Sequence, residues 1–350
     1  MAKTLVGLEI TEESVRAVEV TAGRAPSLLA FGEVSLPPGA AKDSEILDAS
    51  AVSLAIRQLW TRAGIKGHNV ILGIGNRRIL VREHTTQALR ADLLRQALPF
   101  QVQDLLPVPA NQAVLDFYPV SQSGDQLEGL LVAAVAETVE ELIATLLKSK
   151  VTVDTVDLVP FGLARVARIV GAPGETVAMC HIGDHTTYVV IAVDGIPRFV
   201  RIIPIDVATS AVRVREGQAA VDEAESLQPA RVLETVPPQP ADEPPLRGRA
   251  ALRAANGTDP VVVDLVGRLR NTIAFYANRP GMPGASTVFV SGAGAAVAGV
   301  VPTLTMALDA SVRMVSSRDL VRTKKSGEIE DLEMDLNLVS TIGMTLGEGY

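Results

Sequence analysis

The sequence predicts an α/β protein of mixed sheets assembled from two related halves, and three observations carry this. Short β-rich runs alternate with stretches of helical periodicity along most of the 350 residues. Two hairpins with polar turns, "LVGLEITEESVRAVEV" and "MCHIGDHTTYVVIAVDG", stand about half a chain apart. Superposed, they set Glu9-Ile10-Thr11 on His181-Ile182-Gly183 and Ser14 on Thr186, which suggests an internal duplication. A third loop, Ser291-Gly292-Ala293-Gly294, joins a strand to a helix.

The elements follow in order. After the first hairpin, residues 4 to 20, Val52, Ala55, Ile56 and Leu59 sit at helical spacing up to a stop at Ala63-Gly64. "NVILGIG" reads as a strand, and Leu89, Leu93, Leu94 and Ala97 as a helix that Pro99 closes. "AVLDFYPV" and "GLLVAAV" are strands, and Val139, Leu142, Ile143, Leu146 and Leu147 stripe a further helix. Residues 213 to 258, rich in Pro, Ala, Glu and Arg, bury too little to offset their ordering entropy and are expected to stay largely unfolded. The sequon at Asn256 carries no weight in a chain of this kind. Val262, Leu265, Val266, Leu269, Ile273 and Tyr276 mark one more helix.

Composition limits the function. A net charge of -8 argues against nucleic acid as a partner. A single cysteine, Cys180, cannot form an internal disulfide and fits a reducing compartment. The apolar run at the N-terminus is too short for a signal peptide. Ala285 to Leu308 is uncharged over a bilayer-spanning length, but its glycines, proline and hydroxyl residues read as strand, glycine turn and short buried helix. No direct membrane insertion is expected.

Tight hairpin turns can present backbone N–H groups to phosphate, and glycines at a strand–helix turn let the backbone pass close to a flat or anionic ligand. His181 and His185 do not share a side on a strand–turn and lack a third ligand, so no metal site is assigned. No serine stands in a strand–elbow–helix context with a matching histidine.

Two hairpins followed by a glycine strand–helix turn resemble the actin-like (ribonuclease H-like) duplicated fold, with two lobes around a nucleotide cleft. Within it, "QDLLPVPANQAVLDFYPV", "VDLVPFGLARV", "GIPRFVRIIPID", "RNTIAFY" and "LNLVSTIGMTLG" are similar to the PilM family of type IV pilus assembly proteins. The division protein FtsA is a cousin that ends in an amphipathic membrane helix.

The resemblance implies subdomain 1A over 1–83 and 156–174, an FtsA/PilM-type 1C over 84–155, and 2A over 175–206 and 284–335. It implies 2B over 207–283 and a C-terminal helix over 336–350 that returns to the first lobe. It further implies ATP with Mg²⁺, held weakly or not at all, at Thr11, Ser14, Arg16, Gly183, Asp184, Thr186, Thr187, Gly292, Ala293 and Gly294.

The partner it implies is the cytoplasmic N-terminal tail of PilN, in a groove between 1A and 1C to which Phe100, Leu106 and Val108 are assigned. Other inner-membrane pilus components would join through that assembly, at the inner face of the cytoplasmic membrane; self-association is left open. The departures fall in the cleft. His181 replaces the usual aspartate, Thr11 a glycine, Arg16 a lysine, and Val159 an acidic residue; Glu9 and Asp157 remain as weak catalytic candidates. A degenerate cleft on a scaffold is therefore expected, against an active MgATPase or an FtsA-like membrane protein as alternatives.

Overall fold

The computed structural model describes residues 3–217, 259–323 and 329–347. Its first lobe begins with the antiparallel strands β1 (Thr4–Ile10), β2 (Ser14–Thr21) and β3 (Leu28–Ser35). The two-residue strands β4 (Ala41–Lys42) and β5 (Glu45–Ile46) lead to α1 (Ala49–Ala63). The Asp48 side chain accepts from the backbone N–H of Ser50 and Ala51, and left-handed Gly64 ends this helix at the expected stop. Then β6 (Asn69–Ile74) pairs parallel with β1, and β10 (Thr152–Leu158) parallel with β6, giving the order β10-β6-β1-β2-β3.

The second lobe repeats this plan. Strands β11 (Thr176–Ile182), β12 (Thr186–Val193) and β13 (Ile196–Pro204) form the meander. A helix, α5 (Pro260–Ala277), crosses to β14 (Thr287–Ser291), and α6 (Val300–Ala307) to β15 (Ser311–Met314). The order is β13-β12-β11-β14-β15, with the same parallel and antiparallel pairings as the first sheet. In register, Glu9 faces Arg16 where His181 faces Tyr188, so the sequence superposition of the two hairpins holds residue for residue.

Between β6 and β10 a third sheet is inserted. It comprises β7 (Leu80–Gln87), β8 (Ala113–Ser123) and β9 (Gln126–Val135), with α2 (Ala91–Gln101) beside it. Leu94, Leu98, Val102, Phe117 and Leu131 form its own small core. Pro99 lies inside α2 and does not close it, because a proline removes only its own N–H; Val102 still donates to Leu98 one turn on. The inserted unit is shorter than the expected 84–155. Val139, Leu142 and Leu146 of α3 (Ala136–Lys148) belong to the first lobe's core, and β10 to its sheet.

Two helices join the lobes. From β10 the chain enters α4 (Val159–Val170), which packs mainly on β11, β12 and β13 of the second lobe and less on β10. After β15 the chain forms α7 (Leu332–Thr345), which packs on β1, β2 and β6 and also reaches the turn at Ala293–Ala296. The helices cross at Gly162 and Gly343, where a Cβ on Gly343 would stand 2.7 Å from the carbonyl oxygen of Gly162.

In the span expected for 2B, the described residues are a helical stretch at 210–217 and α5, whose Val262, Leu265 and Leu269 cover the second sheet. Residues 213–217 are thus helical where an unfolded segment is expected, and 218–258, sequon included, lie outside the described residues. Among the described residues no helix is long and apolar enough to cross a membrane.

Candidate nucleotide cleft

The facing turns of β1–β2 and β11–β12 bring Thr11, Arg16, Gly183, Asp184 and Thr186 together around one cavity. Sequence reasoning did not assign Glu12, Asp43, Ser44, His185 and Tyr188, which also line it. The cavity measures about 30 Å³. Sites that enclose small organic ligands run to roughly 300 Å³ and above, so this space accommodates about a water molecule.

The turns themselves are closed. Thr11 N–H donates to the Ser14 carbonyl at 2.8 Å, and Ser14 N–H donates to the Thr11 hydroxyl at 3.1 Å. Gly183 N–H donates to the Thr186 carbonyl at 3.0 Å. These N–H groups close their own hairpins instead of facing a phosphate. Ser14 gives its hydroxyl to the Glu33 carboxylate, and Thr187 is buried and not among the residues lining the cavity.

Arg16 is 2% exposed and stands in register between Glu9 on β1 and Glu33 on β3. Burial works against its charge, but Glu33, Glu9 and Asp184 outweigh that and hold the guanidinium protonated. Its Nε and Nη1 make no hydrogen bond among the described residues.

Tyr188 occupies the middle of the cleft. Its hydroxyl donates to the Gly75 carbonyl of the opposite lobe at 2.8 Å, and a Cβ on Gly75 would overlap it at 2.3 Å. The His181 ring stacks on Tyr188 with centroids 6.1 Å apart, and its Nδ1 lies 3.0 Å from the Ser291 hydroxyl. Burial, seconded by the Arg16 charge, pushes the imidazole down to about 3, so it is neutral. Burial likewise pushes the neighbouring Cys180 thiol up to about 12.

The remaining carboxylates are engaged. Glu9 accepts from Ser340 and Thr341 of α7 at 2.7 and 2.8 Å. Asp157 pairs with Arg165, whose Nε also donates to the Gly343 carbonyl at 3.1 Å. Asp184 accepts from the Thr209 hydroxyl at 2.6 Å.

At the mouth the two turns are tied together. His185 Nε2 meets Glu13 Oε1 at 2.7 Å, and Arg215 Nη1 meets the same oxygen at 2.6 Å. The bond to Glu13 is the largest influence on His185; burial opposes it, Asp206 adds to it, and the imidazole rises to about 9. Burial would raise Glu13, but the bonds from His185 and Arg215 prevail and hold it below the usual carboxylate range.

Glu12, Glu13 and His185 form the one group among the described residues whose donor atoms lie close enough for a metal ion. The fit is poor, because a protonated imidazole and a guanidinium already take that carboxylate.

The third loop does not open on the cleft. Gly292 and Gly294 lie against Ile182, where a Cβ on Gly292 would come within 2.2 Å of its carbonyl oxygen. Gly292 N–H donates to the Leu336 carbonyl, and Ala293 N–H to Asn337 Oδ1 at 2.7 Å. A short 3-10 turn follows, and the next helix, α6, starts only after Gly299. Gly292 and Ala293 thus bond α7 through their backbone N–H groups, and Gly294 packs on Ile182. With these groups as placed, the space between the hairpins is smaller than a nucleotide.

Of the partner residues, Phe100 is 85% exposed at the end of α2, Leu106 packs partly into the small core of the inserted sheet, and Val108 is half-buried. The crevice between the first lobe and the inserted sheet is lined instead by Ile74, Asn76, Arg78, Ala134 and Thr138 and is nearly closed at about 10 Å³.

The family described as type IV pilus assembly protein PilM matches residues 7–202. A solved PilM-PilN type IV pilus biogenesis complex superposes with a TM-score of 0.77 at 22% identity, over 98% of this chain and 97% of that one. The ethanolamine utilization protein EutJ from Carboxydothermus hydrogenoformans gives a TM-score of 0.50 at 14% identity, over 99% of this chain and 90% of that one. No curated protein matches. The repeated sheets, the crossing helices and these superpositions make the fold actin-like. With more than half of its length matched, the chain belongs to the PilM family of type IV pilus assembly proteins.

Proposed function

We propose that this protein is a scaffold of the inner-membrane assembly complex of the type IV pilus, with an actin-like cleft that no longer hydrolyses ATP. The observation that carries this is Tyr188, which bridges the cleft to Gly75 and leaves about 30 Å³ between the hairpins. Three features support it: a neutral histidine in place of the second carboxylate, Glu9 tied to α7, and Asp157 tied to Arg165. Magnesium sites lean on one or two free carboxylates, and loss of a general base typically costs about 10²- to 10⁴-fold. The family and the superposed PilM-PilN complex support the partner: the cytoplasmic N-terminal tail of PilN, which would hold the protein at the inner face of the membrane. Phe100, exposed on the inserted unit, is the contact residue.

Two measurements test the reading. A MgATP titration with a phosphate-release assay is expected to give no turnover, and turnover like that of an active actin-like ATPase would reject the degenerate cleft. A pull-down with synthetic peptides from a PilN tail is expected to succeed equally with and without ATP, and to weaken in Phe100→Ala. Failure of every tail peptide would reject the partner.

A further inference from the structure

The far end of β1 from the cleft carries a second concavity, with Leu5 in its wall and a volume of about 1020 Å³. It lies on the seam between the lobes. The β2–β3 turn supplies one side, the segment after β15 supplies the other, and α4 and α7 both end in it. Backbone bonds join the sides, from Leu28 N–H to the Arg322 carbonyl at 2.9 Å and from Arg322 N–H to the Pro26 carbonyl at 3.1 Å.

Its charge runs against that of the chain. In a protein of net charge -8, the described residues that line this basin include four arginines and a single carboxylate, Asp319. That carboxylate is occupied, accepting from the backbone N–H and hydroxyl of Ser316. Arg168 donates to the Gly347 carbonyl at 2.8 Å, and Arg318 to the Ile329 carbonyl at 2.8 Å; each keeps further donors. The exposed side chains of Arg24 and Arg322 meet no hydrogen-bond or ion-pair partner among the described residues. Between the arginines lie apolar groups, with Leu346 buried and Ile169 exposed.

We propose that this basin is a docking site for an acidic segment of a partner protein, carboxylates meeting Arg24 and Arg322 and an apolar side chain resting on Ile169. Guanidinium forks suit carboxylates and phosphates alike, so the surroundings decide between them. Two helix C-termini end here, and their partial negative charge disfavours a compact cluster of phosphates. Carboxylates spaced along a peptide meet the arginines one at a time and avoid those carbonyls. Among the described residues no aromatic ring lines the basin to stack a base. Its concavity suits an inserted segment better than a flat layer of lipid headgroups.

The test is fluorescence anisotropy on the full chain with a labelled twelve-residue peptide of Glu and Asp interrupted by two Leu. The unmodified protein should bind it with a salt-dependent affinity. Arg24→Glu with Arg322→Glu should weaken binding roughly tenfold, the effect of losing two exposed ion pairs. Reversal at Arg57 and Arg62, exposed on α1, should leave binding unchanged. Should the double reversal fold poorly in a thermal melt, Arg24→Gln with Arg322→Gln takes its place. Absence of binding, equal weakening by the α1 variant, or no weakening by the basin variant overturns the proposal. So does capture of inorganic tripolyphosphate or of phosphatidylglycerol vesicles in preference to the peptide.

Discussion

At the residue scale, the cleft is governed by side chains that bond across it from one lobe to the other. Tyr188→Phe keeps the ring and removes only the bond to the Gly75 carbonyl, leaving a buried acceptor unpaired. The expected cost is about 1 kcal/mol, read from the denaturant midpoint. Glu9 depends on α7 in the same way: Ser340→Ala with Thr341→Val leaves a buried carboxylate without its donors, and should cost about 1–3 kcal/mol in the same measurement.

The His185–Glu13 contact predicts a pH dependence whose sign follows from the raised imidazole. Its stabilisation is fully present below about 6.5 and is lost as pH rises through about 9. A Tm profile from pH 6 to 10 should therefore fall more steeply for the unmodified protein than for His185→Asn; parallel profiles would refute it. Little of this was legible in advance. The sequence marks His181 and Thr11 as departures, but Glu13, Arg215 and Tyr188 carry no motif; the paired hairpins bring Glu13 and Tyr188 to the cleft, and the helical stretch at 210–217 brings Arg215.

At the scale of elements, the crossing of α4 and α7 is set by two glycines. Alanine in place of a mid-helix glycine ordinarily gains about 1 kcal/mol. At Gly343 the added methyl would meet the Gly162 carbonyl oxygen at 2.7 Å, so the sign reverses and Gly343→Ala should lower Tm. Most strands and helices were readable from periodicity, including β1, β2, α1 and α3. The exceptions have physical causes. Pro99 stays helical because the turn around it keeps its other bonds, and the glycines of the third loop pack on Ile182. A glycine run looks the same in sequence whether it approaches a ligand or a neighbouring chain segment.

At the scale of the whole molecule, the duplication was visible in the two hairpins and the resemblance implied a C-terminal helix returning to the first lobe, whereas the packing of α4 on the second sheet was not visible, since nothing in an amphipathic stripe says which sheet it covers. That packing predicts cooperativity. Leu163 and Val166 of α4 share one core with Leu338, Val339 and Ile342 of α7 and with Met179 and Val190 of the second sheet. Truncation before Leu332 should therefore unfold both lobes, and the intact chain should melt in a single calorimetric transition; two resolved transitions would contradict the shared core.

The tyrosine across the cleft has one more consequence. A clamp gripped by a diffusible ligand relaxes whenever that ligand becomes scarce, whereas a phenol grafted on the backbone is present at the same effective dose in starved and fed cells alike. If the cleft is the scaffold proposed above, the separation of the two lobes is set when the chain folds, and metabolic supply has no lever on it.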